Sequence, residues 1–190
     1  MTKYARRNAV VVEGATGIGL AIAKRLVEGG AAVVLTARTA HGRAHAVAEL
    51  GPSARVVAPS EVESALAAQA RTGPGDTVEG GVDLLFSDAV PTARRLLPHL
   101  RDGSAIVLTA PTPCPDAVKA FAAELVSRGI RVNAVAPGCI EAPGAGAAPL
   151  PPLGRLGAAE EVARAALFLA TEATFTTGVR LPVDGGLGSP

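Results

Sequence analysis

At 190 residues, with 48% hydrophobic and 18% charged residues, the chain has the size and make-up of one folded α/β domain and not of a disordered segment. Its formal net charge of +1 gives nucleic acid or an acidic membrane surface no electrostatic attraction. The apolar runs, such as residues 9–12, are too short to span a bilayer. No signal-peptide core follows the basic N-terminus, because Glu13 and Gly14 interrupt it. Cys114 and Cys139 lack metal-ligand spacing, and a reduced cytoplasmic protein is expected.

In chain order, short runs rich in Val, Ile and Leu predict strands at 9–13, 32–36, 55–58, 82–86, 105–109, 130–135 and 179–183. A helix starts near Gly17, sets Ile18, Ile22 and Leu26 on one face, and stops at Gly29 and Gly30. Further helical patterns cover 43–50, 61–70, 92–101, 116–128 and the stretch from Ala158 to Ala170. This alternation predicts a single domain with a doubly wound, Rossmann-like parallel sheet covered by helices on both faces. Two stretches break the pattern. Residues 72–81 are polar and glycine-rich, and 137–152 are rich in proline and glycine, so a mobile surface loop is expected near 137–157.

The first turn has a chemical reading. Gly14, Gly17 and Gly19 lie between a strand and a helix, where backbone amides and the helix dipole can hold a pyrophosphate. A turn built only for close packing would also need glycine. The second strand ends Thr36-Ala37-Arg38, with no acid to hold a ribose 2′-hydroxyl and an arginine suited to a 2′-phosphate. A solvated surface arginine reads the same way.

Together with RGIRVNAVAPGCIEAP at 128–143, GRLGAAEEVARAALFLA at 154–170 and VDGG at 183–186, these segments resemble the short-chain dehydrogenase/reductase family over nearly the whole chain. The resemblance implies an NADP(H)-dependent oxidoreductase acting on a carbonyl or alcohol. It implies cofactor contacts from Gly14, Thr16, Gly17, Ile18, Gly19, Arg38, Ser87, Pro137, Gly138 and Ile140. The glycine turn is one residue shorter than in most relatives. Ala58-Pro59 replaces the Asp-Val pair after the third strand, Ser87-Asp88-Ala89-Val90 replaces Asn-Asn-Ala-Gly, and Ala142 replaces a threonine. Ser87 and Asp88 also read as a turn and helix cap before Pro91.

The family's catalytic pattern is missing. No Tyr-x-x-x-Lys pair precedes the 128–143 segment, and the only tyrosine is Tyr4. Pro111 stands at the serine position, residues 86–104 are too few for the helix that bears the asparagine, and Lys119 falls about two turns beyond the lysine position. The catalytic residues are therefore unassigned, with Thr109, Thr112, Cys114, Asp116 and Lys119 as substitutes to examine. His41, His45 and His99 suggest no metal site; His41 and His45 fit an exposed helix over the adenosine pocket. Two other functions remain open: a non-redox lyase, isomerase or cyclase on this scaffold, and an inactive oligomer subunit. The helix from Ala158 to Ala170 and the strand from Val179 to Val183, which form a dimer interface in relatives, imply a homodimer or a heteromer with a complete paralogue.

Overall fold

The computed structural model describes residues 2–71, 81–109, 114–141 and 150–188. Strand and helix alternate as β1 (Asn8–Val11), α1 (Gly17–Glu28), β2 (Ala32–Thr36), α2 (Ala40–Leu50), β3 (Ala54–Val57), α3 (Val62–Arg71), β4 (Val82–Ser87), α4 (Val90–Leu96), β5 (Leu100–Leu108), α5 (Pro115–Leu125), β6 (Arg131–Pro137), α6 (Ala159–Thr171) and β7 (Arg180–Val183). The strands pair in parallel in the order β3-β2-β1-β4-β5-β6-β7. The direction of winding reverses between β1 and β4, and a crevice for a ligand opens at such a point, beyond the carboxyl ends of the strands.

Successive strand residues point to opposite faces, which explains the unbroken apolar runs. Val11, Leu35, Phe86, Val107 and Val135 join the core shared with α1, α2 and α6. Val10, Val34, Leu85, Ile106 and Ala134 join the core shared with α3, α4 and α5. The expected doubly wound sheet is thus the one observed.

Several predicted boundaries need correction: β1 ends at Val11 and not at residue 13, and α2 starts at Ala40 and not at residue 43. The helix expected over 92–101 ends at Leu96, passes through a 3-10 turn at Leu97–His99, and gives way to β5 at Leu100. Pro98 cannot donate the next helical hydrogen bond, and this stops the helix early. β5 accordingly starts well before residue 105, across an irregular register between Val82 and Leu84. The helix expected over 116–128 starts at Pro115, and its last three residues form a 3-10 turn closed by Gly129 at φ 65°. The expected loop at 72–81 lies outside the described residues except Gly81. Of the loop near 137–157, residues 142–149 lie outside them, and its two stems are stapled by Gly157 N to Cys139 O (2.9 Å) and Glu141 N to Gly157 O (2.8 Å).

Two side chains that β6 carries fix the C-terminal third. Asn133, fully buried, donates from Nδ2 to Thr176 O (2.9 Å) and accepts from Val179 N (3.0 Å), pinning the approach to β7. Arg131 donates to the carbonyls of Leu169, Ala170 and Ala173, and so satisfies the open end of α6. Among the described residues no helix is long and apolar enough to cross a membrane.

Candidate functional site

The turn after β1 is built on Thr36, a buried residue at the end of β2. Its hydroxyl accepts from Glu13 N at 2.9 Å and its carbonyl from Gly14 N at 3.1 Å. Gly14 and Gly19 are required by packing: a Cβ on Gly14 would lie 2.7 Å from Leu35 Cδ1, and one on Gly19 would lie 2.6 Å from the Gly14 Cα. Gly17 differs from both. It has φ +54° and nothing within 4 Å of where a Cβ would stand, so its backbone borders open space.

Just beyond, α1 begins. Thr16 caps it in an extended conformation but makes no side-chain cap bond, and the first turn holds no acid. The first amides of α1 lack helical partners, and they face outward with the positive end of the dipole. That arrangement suits an anion such as a pyrophosphate. Ile18 is half-buried and packs on the core shared with α1, as does Ile140.

At the tip of β2, Arg38 is exposed and forms an ion pair from Nε to Glu13 Oε1 at 2.9 Å. Arg43, in the first turn of α2, reaches the carbonyls of Ala37 and Arg38 at 3.4 Å. Exposed His45 brings Nδ1 to 3.3 Å from Ala15 O, so α2 lies directly against the glycine turn. Sequence reasoning missed Glu13 and Arg43. The signals were an acid flush against the first glycine and a second arginine just past the β2 tip.

The other expected cofactor residues divide. Ser87 is fully buried, its hydroxyl donates to Ala89 O (3.1 Å), and its carbonyl receives Thr109 N (2.8 Å), so its polar groups are spent on the turn. It does not cap α4, because Ala89 is the cap residue and makes no side-chain cap bond. Pro137 ends β6. A Cβ on Gly138 would sit 2.6 Å from Asp184 Cα, a packing constraint from the residue that follows β7.

Among the substitute groups, Thr109 donates to Ser87 O at 3.3 Å, Cys114 is the exposed cap residue of α5, and Asp116 and Lys119 are exposed on α5. Thr112, Pro111 and Ala142 lie outside the described residues. Tyr4 is buried against Gly29 at the far end of α1, away from the carboxyl ends of the strands. Among the described residues no group of three His, Cys, Asp or Glu is placed to hold a metal. An apolar pocket of about 240 Å³ opens beyond β4 and β5, lined by Asp88, Val90, Leu108, Cys114 and Val118. A second cleft of about 310 Å³ lies beyond β6 and β7 between Cys139, Leu153, Arg155 and Asp184.

Two family models match this chain: short chain dehydrogenase over residues 7–90 and Enoyl-(Acyl carrier protein) reductase over residues 114–188. The 3-oxoacyl-(acyl-carrier-protein) reductase FabG of Salmonella typhimurium is 30% identical over 240 positions that take in 94% of this chain and 96% of that protein. Those 240 positions exceed the 190 residues here by 50, so at least 50 positions of that relative face a gap. The protein of the same name from Thermotoga maritima is 48% identical over 79 positions, 36% of this chain and 32% of its own length. A crystal structure assigned as a betaketoacyl-ACP reductase superposes with a TM-score of 0.73 at 28% identity, covering 96% of this chain and 98% of that one. Residues 91–113, between the two family matches, hold most of the short α4 and all of β5. With the sheet order, the glycine turn and full-length relatives in agreement, the chain belongs to the short-chain dehydrogenase/reductase family of oxidoreductases.

Proposed function

We propose that this chain binds NADP(H) and exchanges hydride with a carbonyl or alcohol substrate, without the family's Tyr/Lys proton relay. The observation that carries this reading is Gly17: its positive φ and open border leave the α1 amides free beside two arginines. The amides of Gly17 and Ile18 bind the pyrophosphate, and Arg38 with Arg43 takes the 2′-phosphate. The dinucleotide supplies the hydride when bound. The apolar pocket beside Leu108 and Val118 receives the substrate, and water supplies the proton to its oxygen. Loss of positioned acid–base groups lowers the rate by about 10²–10⁴-fold relative to a complete family member.

The printed names of the relatives make 3-oxoacyl thioesters the first substrates to try. The test is NADPH consumption, followed by absorbance under single-turnover conditions with an excess of protein. Slow oxidation matched by formation of the hydroxyacyl product, and lost in Gly17→Val, supports the reading. Substrate conversion without any change in NADPH would overturn it in favour of non-redox chemistry.

We also propose a dimer through α6 and β7. β7 is an edge strand, and Phe168 and Val179 expose apolar surface beside it. The carbonyls of Val179 and Val183 face β6, which leaves Pro182 on the open edge, where it opposes strand addition. The pairing therefore joins side-chain faces and not strand edges. Light scattering that gives a strict monomer at high concentration would contradict it.

A further inference from the structure

We infer that Glu13 sets the cofactor selectivity of this site by competing with a 2′-phosphate for Arg38. This rests on the dinucleotide reading above. The geometry is specific. Glu13 sits in the turn that closes β1, at φ +54°, a left-handed conformation that non-glycine residues rarely adopt. Its amide is tied to the buried Thr36 hydroxyl, so its side chain leaves from a fixed point. From there Oε1 meets Arg38 Nε at 2.9 Å, while Glu13 itself keeps only 27% of its side chain exposed against 70% for Arg38.

The charges around the β2 tip are Glu13, Arg38 and Arg43, with His41 and His45 on the adjoining helix. Glu13 is the acid that pairs with Arg38, while Glu49 on that helix pairs with Lys24. A ribose 2′-hydroxyl is uncharged and can donate to the Glu13 carboxylate without disturbing the pair. A 2′-phosphate that takes Arg38 must either displace Glu13 from Nε or use the remaining guanidinium N–H groups with the Glu13 carboxylate beside it. The pair therefore moderates the preference that two arginines alone would give, and the native site accepts both dinucleotides within about tenfold of each other, the span of one near-surface charge contact.

The test measures dissociation constants of NADPH and NADH by calorimetry for the native chain, Glu13→Gln, Glu13→Asn and Arg38→Ala. Asn is included because it tolerates the left-handed backbone and so guards against a folding failure. Glu13→Gln and Glu13→Asn are expected to tighten NADPH by about tenfold and to leave NADH within about twofold, with the gain lost when Arg38→Ala is added. An NADPH-to-NADH ratio unchanged by both Glu13 variants overturns the competition while leaving the dinucleotide site standing. Absence of binding in the native chain and in every variant overturns both.

Discussion

Thr36 holds Glu13 and Gly14 together: one residue at the end of β2 takes the first amide on its hydroxyl and the second on its carbonyl. The first strand and the second are thereby locked in the register that places the glycine turn beside Arg38. Thr36→Val keeps the shape and removes the acceptor, leaving the Glu13 amide unpaired. The expected loss is about 1–3 kcal/mol of stability, measured by urea unfolding, together with weaker NADPH binding.

Gly19 and Gly17 separate packing from binding. Gly19→Ala drives a methyl group to 2.6 Å from the Gly14 backbone, which cannot move without shifting β1. It is expected to destabilise by about 1–3 kcal/mol, the range for an overpacked site. Gly17→Ala meets no atom and carries only the left-handed backbone penalty of about 1–2 kcal/mol. Its larger effect falls on dinucleotide affinity. Thermal unfolding and calorimetric titration of both variants check the contrast; equal loss of binding with equal loss of stability would contradict it.

Asn133 is a polar residue with no exposure, and both ends of its amide are used. Asn133→Leu leaves Val179 N and Thr176 O without these partners, and is expected to destabilise by about 2–4 kcal/mol. Amide hydrogen exchange should show the loosening concentrated in residues 174–183, ahead of the rest of the sheet.

Glu161 is held down to a pKa of about 2, first by its hydrogen bonds to Arg155 and next by the Ala158 amide at the start of α6. A folded-state pKa below the unfolded value contributes stability that is fully present above the ordinary glutamate pKa. That contribution is lost as pH falls toward about 2. Glu161→Gln removes it, so the difference in melting temperature between native and variant chains should shrink as the pH is lowered from neutral through this window. A difference that stays constant would place the contribution elsewhere.

Much of the sheet was legible because its strands are buried on both faces and read as plain apolar runs, as in residues 32–36 and 82–86. Boundaries were lost where one residue overrode the pattern. Pro98 cut α4 short, and Thr39 started α2 at Ala40 by accepting from Gly42 N. The glycine turn was legible as a turn, but the roles of its glycines were not: Gly14 and Gly19 answer to neighbouring atoms, and only Gly17 borders open space. Ser87 was named as a cofactor contact from its place at the carboxyl end of β4. Its hydroxyl bond to Ala89 depends on a local bend that composition does not reveal. The Glu13–Arg38 pair joins residues 25 positions apart through the parallel pairing of β1 with β2, a contact that exists only once the sheet forms.

Calorimetric titration of the full chain with NADPH and with NADH tests the proposed dinucleotide site most directly. Saturable micromolar binding of NADPH, tighter than NADH by no more than about tenfold, is the predicted result. Failure of both to bind at millimolar concentration would contradict it, and would leave the glycine turn as packing alone.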